Sequence, residues 1–513
     1  MRLSAALTGM PSIVASVLGS TLVLSCLALP GVSLGAEPVR PAPAASLAPA
    51  LNEITEHRLF RTGKVGFQVV DLRTGEEVFS FGPDTSLNPA STMKVVTSAT
   101  ALKMLGPSYR FTTDVYTDGK VDASGTLKGN LYIEGHGDPT MVVEKLWKLV
   151  GDLKGEGIER IEGSVVFDED FHAPEYMLPG WGKAQDIERG PSYFATLSAL
   201  SMNFNTAAIL VGPGAEVGQP ARVRLETDAG DAVDVVNEVK TVSSSGRRSL
   251  VIDRAVQEDG STEFTVKGNV PLLGEHQRYY RTVADPTAQY MGTFQELMKQ
   301  HGIGVTGRFR RGDTPTDAKR LMQVRSTSLA TILMDMNKLS NNFIAEQVLR
   351  TLGAEVKEEG TTEAGLVVIQ EYLTSLGVGP EEVALVNGSG LSRQAALRPS
   401  VLTAILVDMA RDPQVGQEFA STLAIAGYDG TLWSRLRDEA GRLRGKTGTI
   451  DGVHCLAGYV EDGAGDRYAF AFLVNDHGGR VSTVKGLHDR FARTMFKWGA
   501  EPGDEGGEAS ASP

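Results

Sequence analysis

The sequence predicts an α/β (α+β) protein, and three observations carry that expectation. Alternating apolar and polar residues at 65–71 and 77–81, with Thr74-Gly75 between them, form a β-hairpin pattern. Residues 211–268 are rich in Gly, Val and Thr in short alternating runs, so the middle of the chain is expected to be mostly β. From Asp285 onward helical periodicity returns, and two apolar strand-like runs near the end precede a last helix.

The 513 residues suffice for two or three domains with cores of their own. Hydrophobic residues make up 41 % and charged residues 22 %, as in a globular protein, and the net charge of −13 without a basic cluster argues against a nucleic-acid partner. At the N-terminus Arg2 precedes an uncharged apolar stretch at 13–29, and Ser33-Leu34-Gly35-Ala36 offers small residues for cleavage. Residues 1–36 are therefore expected to be a signal peptide and the protein to be exported. Val23-Leu24-Ser25-Cys26 resembles a bacterial lipobox, which leaves peripheral membrane association through a lipid anchor as the second reading. No later stretch approaches the ~20 apolar residues of a spanning helix. The two cysteines, Cys26 and Cys455, cannot form a disulfide once Cys26 leaves with the signal peptide. Residues 37–50, rich in Pro and Ala, are expected to be a linker, with the fold beginning at about Leu51. The acidic, Gly- and Ser-rich segment 501–513 is expected to be disordered.

In chain order, the hairpin is followed at once by Ser91-Thr92-Met93-Lys94 and a run of small or apolar residues ending near Gly106. This is expected to be a helix buried on most sides and packed against the hairpin's sheet. Strands are expected at 111–116 and 127–133, a tight turn at 135–139, a helix at 141–153 and a strand pair around Gly163 at 158–167. His136 lies in that turn without a metal-ligand spacing around it, so it is read as a turn residue, and no metal site is expected. Helices follow at 287–301 and 328–338. Ser340-Asn341-Asn342 then opens the apolar run 343–349, with further helices at 362–375 and 400–410. Asn387-Gly388-Ser389-Gly390-Leu391-Ser392-Arg393 is Gly-rich but lacks the spacing of a Gly-x-Ser-x-Gly elbow. Strands at 453–460 and 468–474 form a hairpin across 463–466, and a helix covers about 484–498.

The chemistry begins at Ser91 and Lys94. Three residues apart on a helix, they share a face. A buried lysine can lose its proton and so activate a serine hydroxyl. Alone, the pair reads equally well as an N-capping serine and a solvated lysine. Ser340-x-Asn342 and Lys446-Thr447-Gly448 follow in order, and the three together resemble the motif set of serine β-lactamases and penicillin-binding proteins. Each part has a task. Ser91 attacks a carbonyl carbon and Lys94 takes and returns the proton. Ser340 passes a proton toward the leaving amine, and Asn342 holds the Lys94 ammonium or a substrate amide. Lys446 offers charge to a substrate carboxylate, aided by the Thr447 and Thr449 hydroxyls. Gly448 lets the substrate lie against the backbone. The N–H groups of Ser91 and Thr449 form the oxyanion hole. Ser482-x-x-Lys485 falls after the Lys-Thr-Gly motif, and Ser201-x-Asn203 lies in the β-rich middle. Both are read as decoys.

With its surrounding segments the chain resembles, over nearly its whole length, the class C low-molecular-mass penicillin-binding proteins. These are the D-Ala-D-Ala carboxypeptidases/endopeptidases of the penicillin-binding protein 4 type (serine peptidase family S13). Gly135-His136-Gly137-Asp138-Pro139-Thr140, the segment ending in Asn203-Phe204-Asn205, Asn387 to Arg393 and Ala426-Gly427-Tyr428-Asp429-Gly430-Thr431-Leu432 each match a family segment. His136 stands where glycine is usual and Asn387 where aspartate is common. Cys455, also unusual, is read as a core residue. The resemblance implies a serine β-lactamase/transpeptidase-like domain from 51–110 and 280–500, interrupted at 111–279 by a large, mostly β insert forming two smaller domains. The long interval from Ser91 to Ser340 agrees with such an insertion.

The resemblance further implies cleavage of peptidoglycan stem peptides in the periplasm through an acyl-enzyme, inhibition by β-lactam antibiotics, and no cofactor. It also implies that Arg393 contacts an acidic group of the stem peptide; an ion pair within the protein is the equal alternative. A β-lactamase would need a deacylating base, and no Glu-x-x-Leu-Asn loop is found. An inactive cell-wall binding protein would lack a motif residue, and all are present. Carboxypeptidase and endopeptidase activity share this chemistry, so the motifs do not choose between them.

Overall fold

Six antiparallel strands form the sheet on which the rest is built. The computed structural model describes residues 44–178, 181 and 189–499; the expected signal peptide and acidic tail lie outside the described residues. Across the sheet the order is Ala424–Ile425, Leu443–Ile450, Val453–Glu461, Arg467–Asn475, Lys64–Asp71 and Glu77–Phe81. Val453–Glu461 and Arg467–Asn475 are buried along almost their whole length. They read as continuous apolar runs because helices cover both faces of the sheet.

One face carries the helices Ala44–Thr55 and Val481–Lys497. Their shared core includes Phe67, stacked on Phe472 at 4.3 Å and edge-on to Phe491 at 4.9 Å. The first of these helices corrects the expectation of a linker up to residue 50. Leu47, Leu51 and Ile54 follow helical spacing and are buried under the sheet. The Ala and Pro content that suggested a linker hid that stripe, and Ala is itself the best helix former.

The other face carries Met93–Leu105, Asn342–Lys357, Thr362–Ser375 and Pro399–Arg411 around a second core. Every residue from Met93 to Leu102 is buried, as a helix enclosed by a sheet and other helices must be.

Between these halves lies the insert, in two nested parts. The outer part has a five-stranded sheet, ordered Phe309–Arg311, Val165–Asp168, Leu131–Gly135, Thr112–Thr117, Lys319–Arg325. A four-stranded sheet of Gly304–Val305, Arg160–Ile161, Thr126–Lys128 and Lys120–Val121 accompanies it. Helices Val143–Gly155 and Pro286–His301 share its core, with Leu146, Leu149, Phe167 and Phe294 inside. The inner part, 206–282, is two three-stranded sheets around Ile209, Phe264 and Val266.

Three expectations are corrected here. The second part of the transpeptidase-like domain does not begin at 280. Lys319–Arg325 pairs with Thr112–Thr117, so the insert continues to Arg325. A helix such as Pro286–His301 shows in sequence that it has an apolar face, not which core that face joins. Nor do the strands around Gly163 pair with each other. Arg160–Ile161 and Val165–Asp168 enter different sheets, and Gly163 lies where the chain passes so close to the Gly129 carbonyl that a side chain would collide with it. The expected strand at 127–133 is likewise divided, ending one sheet's strand at Lys128 and opening another's at Leu131.

Candidate active site

Ser91 sits in a short 3₁₀ turn, Ala90–Thr92, that runs directly into Met93–Leu105. Ala90 holds a positive φ of 43°, a strained state for a residue with a Cβ. Its surroundings impose it. Asn88 Nδ2 donates to the carbonyls of Ser392 (2.7 Å) and Ala395 (2.9 Å), while Asn88 Oδ1 accepts from the Ala90 N–H at 2.9 Å. Gly448 passes so close that a Cβ there would meet the Pro89 carbonyl at 2.7 Å and the Ser91 nitrogen at 3.1 Å. Gly390 presses on the Ala90 carbonyl from another side.

Lys94 is wholly buried, which removes the reading of a capping serine and a solvated lysine. Its ammonium group donates to Ser91 Oγ at 3.2 Å, to Asn342 Oδ1 at 2.7 Å and to the Ser389 carbonyl at 2.8 Å. Burial pushes its pKa down to about 7, against the pull of the Glu346 carboxylate. Glu346 is also buried and accepts from the backbone N–H groups of Gly388 (2.9 Å) and Ser389 (2.8 Å). Burial raises its pKa, while these bonds and Lys94 act against the rise.

Opposite this pair stand Ser340 and Lys446. Ser340 lies between two helices with φ +58°, and Asn341 caps the second by accepting from the Ile344 N–H at 3.1 Å. Asn342 is that helix's first residue and also donates to the Tyr193 carbonyl at 3.1 Å, so the insert forms one wall of the site. Lys446, buried on the Leu443–Ile450 strand, donates to Ser340 Oγ at 2.9 Å. Burial, then the nearby Lys94, pushes the Lys446 pKa well down. Thr447 Oγ1 donates to Thr431 Oγ1 at 2.8 Å, and Thr449 is exposed on the same strand, opposite His454.

Arg393 is not part of this buried network. It lies at the rim, 67 % exposed, and pairs with Asp451 at 3.3 Å just beyond the Lys446 strand. Of the decoys, Ser201 donates to the Ser198 carbonyl and accepts from Gln347 Nε2 at 3.2 Å, a structural role. Ser482 and Lys485 are exposed on the last helix. Cys455 is buried, its thiol pushed up by desolvation, and packs as a small core residue. Asn387 accepts from the Gly390 N–H at 2.9 Å and so shapes the turn behind Lys94. His136 pairs with Thr112 Oγ1 at 3.2 Å and meets Phe171 edge-on.

Glu346 and Asn88 were not singled out from sequence. Glu346 carried a signal: a lone charge inside the apolar run 343–349, one turn beyond Asn342 on the same face. Chemically, the arrangement offers a serine beside a buried amine of near-neutral pKa, a second Ser–Lys pair facing it, and a strand whose glycine admits close approach. That set suits acyl transfer.

A family model described as the D-Ala-D-Ala carboxypeptidase 3 (S13) family matches residues 47–494. The chain belongs to this family. Its activity class is D-Ala-D-Ala carboxypeptidase. This S13 chain is 31 % identical over 505 residues to the D-alanyl-D-alanine carboxypeptidase of Actinomadura sp. (strain R39), covering 94 % of this chain and 91 % of the relative. It is 24 % identical to the D-alanyl-D-alanine carboxypeptidase DacB of Haemophilus influenzae, over 83 % of this chain and 88 % of the relative. Among solved structures, penicillin binding protein 4 (dacB) from Haemophilus influenzae shares the fold. The TM-score is 0.74 at 22 % identity, over 87 % of this chain and 98 % of that one. The same protein complexed with a β-lactam superposes with a TM-score of 0.70.

Proposed function

We propose that this S13 chain removes the terminal D-Ala of peptidoglycan stem peptides through an acyl-enzyme on Ser91. The observation that carries the reading is Lys94, fully buried, 3.2 Å from Ser91 Oγ and with its pKa brought to about 7. Neutral Lys94 takes the Ser91 proton as Oγ attacks the carbonyl of the penultimate D-Ala. The N–H groups of Ser91 and Thr449 hold the oxyanion, each contributing about 2.7–4 kcal/mol of transition-state stabilisation. Collapse breaks the peptide bond, and the departing D-Ala nitrogen receives its proton through Ser340. Water then hydrolyses the ester. The terminal carboxylate is met by Lys446 with the Thr447 and Thr449 hydroxyls; an anion arriving there restores the positive charge that burial disfavours.

The same steps cleave a D-Ala cross-link to a diamino acid, so endopeptidase activity requires only a groove that admits the second stem. Arg393, at the rim, is placed in this reading against an acidic group of the stem peptide, exchanging Asp451 for it. A β-lactam, acylating Ser91 as the substrate does, is the inhibitor. The expected compartment is the periplasm.

The test is mass spectrometry of the intact protein after incubation with labelled penicillin, followed by peptide mapping. A stable adduct on Ser91, lost in Ser91→Ala together with hydrolysis of the pentapeptide, is the expected result. Fast penicillin turnover without an adduct indicates a β-lactamase instead. Neither adduct nor turnover indicates a binding protein.

A further inference from the structure

A cavity of about 1020 Å³ adjoins the site. Ser192 and Asn341 line it, and each is the chain neighbour of a residue already placed at the site, Tyr193 and Asn342. Helices Val143–Gly155 and Pro286–His301 and the sheet of the inner insert form its other walls. Asn203 and Phe204, of the motif Asn203-Phe204-Asn205 that the catalytic roles leave unused, line it as well.

Three aromatic rings are left open to solvent in this one cavity: Trp147 (53 % exposed), Tyr280 (49 %) and Phe204 (40 %). Grouped apolar faces of this size mark a binding surface. Phe204 is held there at a cost. Asn203, Phe204 and Asn205 have φ of 48°, 56° and 53°, three successive left-handed residues, none of them glycine. The turn persists because its neighbours over-determine it. Asn205 Nδ2 donates to the Thr196 carbonyl at 2.8 Å, and Asn203 Oδ1 accepts from the Val143 N–H at 3.2 Å. Strain maintained in this way is characteristic of functional sites. Edge-on packing of Phe204 on Phe343 at 5.9 Å and tilted packing of Trp147 on His301 at 4.9 Å each cover one side of a ring and leave the rest of it, like Tyr280, open to the cavity.

The polar lining selects the ligand's chemistry. Glu144, Glu226, Asp228 and Glu296 supply carboxylates, Glu296 being paired with Lys299 at 2.5 Å. Among the described residues Arg278 is the one basic side chain lining the cavity, and Glu226 holds it at 2.6 Å. An anionic polymer would find repulsion here. A neutral chain of hydroxyls finds acceptors, and its flat C–H faces find aromatic rings. The volume lies at the top of the range for drug-sized ligands, which leaves room for more than one sugar ring.

We propose that this cavity is a subsite for the amino-sugar strand that carries the stem peptide, holding the glycan while the peptide reaches Ser91. The proposal rests on the peptidoglycan reading above. Its first test is calorimetric titration of the penicillin-treated protein with a stem-free, N-acetylated peptidoglycan tetrasaccharide. Binding to the wild type, weakened about tenfold in Trp147→Ala and in Tyr280→Ala, is expected. Phe204→Asn removes the ring with a residue that tolerates the left-handed turn, and should act alike. No binding, or equal binding by all variants, overturns it.

The second test compares hydrolysis of a pentapeptide with that of the same pentapeptide on its disaccharide. The variants should raise KM about tenfold for the sugar-linked substrate alone. Equal losses on both overturn the proposal. So does a loss confined to a sugar-free cross-linked peptide dimer, which would assign the cavity to peptide. If neither substrate is cleaved yet the tetrasaccharide binds as expected, the stem-peptide reading fails and the glycan subsite stands.

Discussion

Lys94 is tuned by a carboxylate it does not share a hydrogen bond with. Glu346 accepts from the Gly388 and Ser389 N–H groups, and Ser389 in turn offers its carbonyl to Lys94. In the proposed mechanism Lys94 acts as a base only when neutral, so penicillin acylation should rise with pH through a midpoint near 7. Glu346→Gln removes the negative charge that favours the ammonium, so the midpoint should move to lower pH; stopped-flow acylation across pH 5–9 reads both. Stability follows the same proton. The folded pKa near 7 lies below the ordinary 10.5. Between those values the unfolded chain binds a proton the folded chain does not, so stability rises with pH there, by at most about 1.4 kcal/mol per unit from this group. Urea unfolding at pH 7.5 and 9.5 should show that rise, and Lys94→Met should reduce it. Ser91, Lys94 and the Ser340–Lys446 pair opposite, which the fold brings together, were legible as a group because their types and order are tied to the proposed chemistry. Asn88 was not, because its task is to hold carbonyls that lie some three hundred residues away in the chain.

The turn bearing Ser91 depends on elements that carry no reactive group. The Leu443–Ile450 strand passes against it at Gly448, and the neighbour it would strike is backbone, which cannot swing aside. Gly448→Ala should therefore displace the turn from the strand and lower acylation by about a hundredfold while the protein stays folded, as penicillin-labelling kinetics beside a thermal melt would show. Hairpins and amphipathic helices stood out in the sequence because periodicity is local. The pairing of Arg160–Ile161 and Val165–Asp168 with separate sheets did not, since alternation shows that a strand exists and leaves its partner unspecified. The helix at Ala44–Thr55 was missed for another reason: Leu47, Leu51 and Ile54, the buried apolar residues among its described side chains, make a narrow stripe between Ala and Pro.

For the molecule as a whole, insertion within insertion is the governing feature. A long, β-rich interruption was legible; its end was not, because the helix and strand that close the outer part look like those of any domain. The inner part leaves and returns at Thr206 and Thr282, which face each other across paired strands. Replacing 207–281 by a short Gly-Ser link should leave penicillin acylation of Ser91 in place and abolish the preference for sugar-linked substrate, since Tyr280, Glu226 and Asp228 go with it. Loss of acylation would mean that the inner part also supports the catalytic wall at Tyr193.

The central sheet also sets a timetable. Lys64–Asp71, made early, has its long-term neighbour in Arg467–Asn475, made nearly last. Lys446 likewise reaches Ser340 only when the strand that carries it has been synthesised. A chain still being synthesised therefore has Ser91 without Ser340 and Lys446 opposite it. On the proposed mechanism penicillin labelling starts only when the two ends of the chain meet, and so doubles as a clock for the completion of folding.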